Sequence, residues 1–141
     1  MTTFSMYSAS IPVFKQILNS LLAILDKAEA HAAERKIEPA ALLQARLFPD
    51  MLPFTRQIQI ACDFAKGAAA RLGGLDVPSY DDTEVGFADL KARIVKTLAY
   101  IDGVPQASIE GSETREITTG SGEKTKHFVG QSYLFHYALP H

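Results

Sequence analysis

The sequence has a single cysteine, no tryptophan and no excess of basic residues. The lone thiol, Cys62, cannot form an internal disulfide, which favours a reducing compartment. The net charge of −2 argues against nucleic-acid binding, which needs a basic surface. No apolar run reaches the roughly 18 residues that cross a bilayer, and residues 1–12 lack the pattern of a signal peptide. We therefore expect a cytoplasmic protein that binds neither nucleic acid nor a membrane.

Motifs for several common chemistries are also missing. The sequence contains no H-E-x-x-H zinc motif, no zinc ribbon and no nucleophile elbow. Residues 120–125, GSGEKT, end like a phosphate-binding loop, but Glu123 stands where that motif needs a glycine. Cys62 falls on the apolar face of a predicted helix, so we expect it to be buried and unreactive. No complete catalytic motif can be identified from the spacing of residues.

The composition is that of one globular domain spanning residues 1–141. Hydrophobic residues make up 47% of the chain and charged residues 21%, a balance that allows one buried core. The length fits a single domain and leaves little room for a second one.

The first predicted helix has the clearest pattern. Ser10 is a suitable N-cap, and Pro12 lies in the first turn, where a missing N–H costs no hydrogen bond. Apolar side chains then recur at three- and four-residue spacing up to Arg35, before Pro39. The stripe consists of Phe14, Ile17, Leu18, Leu21, Leu22, Leu25 and Ala28. We expect a helix of about 25 residues that sets the length of a helical bundle, and a short helix over residues 39–46.

Two further long helices are predicted downstream. One ends at Leu72, where a pair of glycines acts as a stop. Its interior Gly67 costs about 1 kcal/mol relative to alanine, which indicates a tight contact at that position. The other helix ends at Gly103, and Asp81 and Glu84 have the spacing of a capping box at its start.

A small hairpin is predicted between the third long helix and the end of the chain. Glu116–Thr119 and residues 124–129 are typical of two short strands, and the glycines at 120 and 122 predict the turn between them. A lone hairpin is marginal in water, so we expect it to lie on the helices. Residues 131–141 then predict a short helix rich in aromatic residues. The predicted fold is therefore all-α, with a small β-hairpin before a short last helix.

Four polar residues are candidates for a ligand site. His136 and His141 are five residues apart, which places them about 140° apart on a regular helix, unless Pro140 distorts the turn. Asp50 and Gln57 are seven residues apart, so they can face the same side of the second long helix. The alternative is structural: His136 at the edge of the core, His141 as a terminal residue, and the other two on the surface.

Several stretches together resemble a bacterial family of unknown function within the DinB/YfiT-like metalloenzyme superfamily. They are SMY at residues 5–7, IPVF at 11–14, LDKAEAHA at 25–32, ARL at 45–47, PDM at 49–51, QIQIACDFAKG at 57–67 and YLFHYALP at 133–140. The resemblance covers nearly the whole chain.

The resemblance implies a four-helix bundle with a long crossover, often dimeric. It also implies a divalent transition metal held by three histidines, one on the second helix and two at i, i+4 on the last. Such a metal activates a small thiol or a similar nucleophile. The present sequence differs, because its second long helix contains no histidine and Tyr137 stands four residues before His141.

Three hypotheses follow. The first is a degenerate metal or ligand cleft between the second long helix and the short last helix, lined by Asp50, Gln57, His136 and His141, that binds a small polar molecule. The second is a non-enzymatic interaction module, and the third is a metal-dependent transferase of the DinB/YfiT type. The short last helix would leave apolar stripes uncovered, so we also expect either a truncated chain or a groove filled by a second subunit in a homodimer.

Overall fold

The computed structural model describes residues 3–141 as long helices joined by short elements. In chain order they are α1 Ile11–Arg35, α2 Pro39–Leu43, α3 Phe54–Leu72, α4 Phe87–Gly103, α5 Gln106–Ile109, β1 Glu116–Thr119, β2 Lys126–Val129 and α6 Gly130–Tyr133. The chain leaves α6 through a wider π-type turn, Leu134–Ala138. Two short 3₁₀ turns, Ser112–Thr114 and Gly122–Lys124, flank β1.

Helix α1 has the predicted length and the predicted N-cap residue, but the side chain of that residue forms a different hydrogen bond. Ser10 occupies the N-cap position, yet its hydroxyl donates backward to the Met6 carbonyl at 2.6 Å. Ser10 is therefore the N-cap residue, as predicted, but its side chain makes no capping hydrogen bond, because residues before α1 already turn and Ser10 has α-region dihedrals (φ −117°, ψ −77°). At the other end Lys36 adopts a left-handed conformation with φ 55°, and the N–H of Ile37 bonds to the Ala32 carbonyl. That arrangement closes the helix before Pro39.

Helix α4 begins later than the spacing of Asp81 and Glu84 predicts. Its first helical residue is Phe87, and the carboxylate of Asp89 accepts hydrogen bonds from the N–H groups of Val85 and Gly86. The predicted capping box at Asp81 and Glu84 is therefore wrong. An acidic side chain in the first turn satisfies unpaired N–H groups equally well when it lies inside the helix.

The core forms where α4 packs against both α1 and α3. Cys62 is fully buried there, as predicted, and burial raises the pKa of its thiol. The largest fully buried side chains are Tyr133, Met6, Ile11, Leu18, Leu25, Leu43, Ile58, Leu72, Leu90, Ile94, Ile101 and Ile109. The predicted stripe of α1 is only partly correct, because Ile17 is more than half exposed.

The hairpin pairs β1 and β2 in antiparallel register, with Glu116 opposite Val129 and Thr119 opposite Lys126. The second strand begins at Lys126, two residues later than predicted, because Gly122–Lys124 forms a 3₁₀ turn. Ile117 belongs to the hydrophobic core, so the hairpin lies on the helices as expected.

These elements confirm the predicted fold class. Four main helical segments enclose the core, and a small hairpin precedes a short last helix. Within residues 3–141 no helix combines the length and the apolarity that a membrane crossing requires.

Candidate functional site

An apolar groove runs between the second half of α1 and the first half of α3. Its volume is about 590 Å³. We call it the apolar groove and define it by Ile24, Ala28, Leu42, Ala45, Arg46, Leu47, Met51, Leu52, Phe54 and Gln57. The loop between α2 and α3 forms its outer wall.

The two polar residues of the apolar groove hold this wall in place. Arg46 donates from Nη1 to the Met51 carbonyl at 2.6 Å. Gln57 donates from Nε2 to the Leu52 carbonyl at 3.2 Å. Because both polar side chains are engaged with the loop backbone, the groove offers mainly carbon surface to whatever enters it.

Large apolar side chains project beside the groove. Leu47 is 93% exposed and Phe48 is 64% exposed, at the tip of the loop between α2 and α3. Ile24 on the facing helix is 51% exposed. A contiguous patch of this kind is uncommon on a monomeric surface and is typical of an interaction site.

A smaller hollow of about 140 Å³ lies further along the same two helices. There α1 and α3 face residues 138–141, and Ile17 and Ala61 line the space. The His141 ring stacks on Phe64 with centroids 4.9 Å apart and planes inclined by 4°. The chain therefore places its own last turn against one end of the α1–α3 surface and leaves the other end open.

The four predicted site residues do not share one hollow. Gln57 lines the apolar groove, and His141 lines the smaller hollow. Asp50 is exposed in the turn before α3, and His136 is exposed on the π-type turn. Their joint binding of a ligand stays a prediction.

The positions of the histidine, cysteine and acidic side chains also test whether the metal site that the resemblance implies can form. Nδ1 of His141 lies 2.6 Å from the Tyr137 carbonyl, and because a carbonyl only accepts, this nitrogen carries the proton. Only Nε2 of that ring is left to bind a metal. Across residues 3–141 no three or more histidine, cysteine or acidic side chains are grouped as a metal site. The described residues do not fit a three-histidine centre.

Sequence reasoning missed a charged cluster on the opposite flank of α3. Arg93 on α4 has a side chain only 2% exposed, and three carboxylates surround it. Its guanidinium lies 2.9 Å from Asp63, 2.9 Å from Glu84 and 3.0 Å from Asp82. It also donates to the Asp81 carbonyl at 3.1 Å. These residues are far apart in sequence, so no local spacing predicted the cluster.

The charged cluster fixes the loop between α3 and α4. Burial alone would raise the pKa of the Glu84 carboxyl, but hydrogen bonds from Arg93 and Gln59 outweigh it and hold this pKa below its usual value. Tyr80 from the same loop lies under two ammonium groups, with Lys66 at 3.9 Å and Lys96 at 4.1 Å from the ring centroid. A polar hollow of about 420 Å³ opens beside this loop.

The helical arrangement defines a DinB-like protein. A crystal structure of a DinB family member protein from Shewanella denitrificans is similar, with a TM-score of 0.87 and 36% sequence identity. The match covers 95% of the present chain and 76% of that chain.

The family follows from the sequence match. The model of the family described as a domain of unknown function, DUF1993, matches residues 6–141, and the chain belongs to that family. A comparison with curated proteins gave no match. The predicted resemblance to a family of unknown function with a DinB-like fold is therefore confirmed.

Proposed function

We propose that this protein is an interaction module that forms a homodimer through the apolar groove. The observation that carries the proposal is the groove together with two exposed residues of the loop between α2 and α3, Leu47 in the groove lining and its sequence neighbour Phe48. A hollow and a pair of projecting apolar side chains lie next to each other on one surface. A two-fold axis near this surface would let each copy insert its projecting residues into the groove of the other.

The physical chemistry of the groove supports an apolar partner over a small polar molecule. Its lining is mostly aliphatic and aromatic, and the side chains of Arg46 and Gln57 are engaged with the groove wall. Burying a leucine or phenylalanine side chain stabilises an interface by roughly 1.5–3 kcal/mol for each residue. Two copies would bury four such side chains, and a few centrally buried residues commonly carry most of the binding energy of an interface.

The test is the mass of the protein in solution, measured by size exclusion with light scattering over a micromolar dilution series. We expect a dimer for the wild type and a monomer for Leu47→Glu, because a carboxylate would have to lose its water in the groove of the partner. Val85→Glu is the matched control, since Val85 is 80% exposed and lies outside the groove. This control should remain dimeric.

Two results would contradict the proposal. A wild type that stays monomeric and binds no hydrophobic dye would show that the groove is not an interface. A dimer that Leu47→Glu and Phe48→Glu leave intact would place the interface on another surface.

A further inference from the structure

Another pocket, of about 200 Å³, lies where α3, the hairpin turn and the π-type turn meet. We call it the Arg71 pocket, and its lining residues are Asp63, Phe64, Arg71, Thr119, Gly120 and Tyr137. Three separate segments of the chain converge on it. It is smaller than the roughly 300–1,000 Å³ of pockets for drug-sized ligands, so its volume suits a small molecule.

The guanidinium of Arg71 is held in a fixed position. Its Nη1 donates to the buried Tyr133 hydroxyl at 3.0 Å. It also lies over Gly67, where an added Cβ would come within 2.6 Å of that nitrogen. The tight contact predicted for Gly67 is therefore real, but its partner is a side chain of the same helix. Glycine at this position leaves space for the guanidinium.

Arg71 differs from Arg93 of the charged cluster and from Arg56, which pairs with Asp82 of that cluster. Arg56 and Arg93 pair with carboxylates, whereas no acidic side chain of the described residues forms an ion pair with Arg71. Its single side-chain hydrogen bond within residues 3–141 goes to a neutral hydroxyl. An arginine has five N–H donors, so most of them can serve a ligand.

Asp63 supplies a weaker negative charge to the same pocket. Its Oδ1 accepts from Arg93 at 2.9 Å and lies 3.2 Å from the Lys66 ammonium, so two cations offset its charge. Its Oδ2 accepts no hydrogen bond from the described residues. The residues that line the pocket therefore carry a guanidinium, a carboxylate, two hydroxyls and two aromatic rings, of which the Phe64 ring also stacks on His141.

We propose that the Arg71 pocket binds a small organic monocarboxylate with a hydroxyl or amino group on the neighbouring carbon. The planar guanidinium matches a carboxylate through two parallel hydrogen bonds. The donor group of the ligand meets the Asp63 carboxylate, and its short carbon skeleton meets the aromatic faces. Inorganic phosphate is a poorer fit, because its higher charge faces Asp63 and it offers no carbon to the aromatic rings. This site is independent of the proposed dimer groove.

The experiment is a titration of ¹⁵N-labelled protein with glycolate, followed by amide chemical shifts and by calorimetry, with acetate and inorganic phosphate as comparison probes. We expect saturable shifts at residues 119–120 and along the last turns of α3, with glycolate bound more tightly than acetate or phosphate. Arg71→Gln should weaken glycolate binding about tenfold or more, as expected for the loss of charge-assisted hydrogen bonds. Arg35→Gln is the control, since Arg35 is exposed on α1 and lies outside the pocket.

A second variant protects the test against misfolding of Arg71→Gln. Gly67→Ala keeps the arginine and favours the helix, but its methyl group displaces the guanidinium. It should weaken glycolate binding at least several-fold with little net change in stability, because the gain in helix propensity offsets the lost hydrogen bond from Arg71 to the Tyr133 hydroxyl. Absence of saturable shifts with glycolate, tighter binding of phosphate, or unchanged binding in both variants would each overturn the proposal.

Discussion

The two flanks of α3 differ in whether their side chains find partners within the chain. Toward α4, charged groups meet partners within the chain, and Arg93 alone contacts three carboxylates. Toward α1, apolar side chains such as Leu47 and Phe54 line a hollow that residues 3–141 leave open. The charged cluster on the α4 side positions the loop between α3 and α4. The apolar groove on the α1 side keeps apolar surface in contact with water. A protein that keeps such surface usually uses it to bind something.

The sharpest test of this contrast compares two adjacent residues of α1. Leu25 is fully buried in the core, while Ile24 lies on the groove and is 51% exposed. We expect Leu25→Ala to lower the free energy of unfolding by about 3 kcal/mol, through lost burial and the cavity that remains. Ile24→Ala should cost less than about 1 kcal/mol when the protein is dilute and monomeric, because this side chain is already half solvated. Urea unfolding measures both. Equal losses would mean that the groove belongs to the core.

The charged flank is tested by Arg93→Met. Removal of the guanidinium leaves three carboxylates close together without their cation. Breaking a buried pair costs about 3–5 kcal/mol, but Asp63 and Asp82 are about 40% exposed and can regain water, so we expect a loss of about 2 kcal/mol. Thermal and urea unfolding give the value. Arg35→Met, on exposed surface, is the control and should change little. If Arg93→Met leaves the free energy of unfolding unchanged, the charged cluster does not stabilise the fold.

The smallest expected effect concerns the pH dependence of the charged flank. The pKa of Glu84 is lowered in the folded protein by hydrogen bonds from Arg93 and Gln59, which outweigh burial. This carboxylate therefore contributes stability above the usual glutamate pKa, and the contribution is lost as the pH falls through the lowered folded pKa. Glu84→Gln should flatten the decrease of stability below pH about 5. Urea midpoints between neutral pH and about pH 3 would show it, and parallel curves for the two proteins would contradict it.

Most of the helical fold could be predicted because its determinants are local. The stripe of α1, the end of α3 at Leu72 and the end of α4 at Gly103 all depend on residues within a turn or two of each other. The start of α4 was harder to predict, because Asp81, Glu84 and Asp89 are all acidic and only tertiary contacts decide which of them caps the helix. Glu84 accepts a hydrogen bond from Arg93, and Asp89 accepts one from the Gly86 N–H at the start of α4.

The candidate sites were less predictable because they depend on long-range placement. Gln57 was predicted to line a cleft between the second long helix and the last helix; in the structure it lines the apolar groove between α1 and α3, where its amide is engaged with Leu52. Arg71 had no distinguishing pattern in the sequence. The glycine four residues before it was the one local sign of its position, because an interior helical glycine indicates a close neighbour.

The single cysteine can report how often the core opens. Cys62 is fully buried, and burial raises the pKa of its thiol, so a thiol reagent in solution cannot react with it in the native state. Each modification event must therefore wait for the helices to separate. With excess reagent, the labelling rate therefore reports how often the core opens in the absence of denaturant.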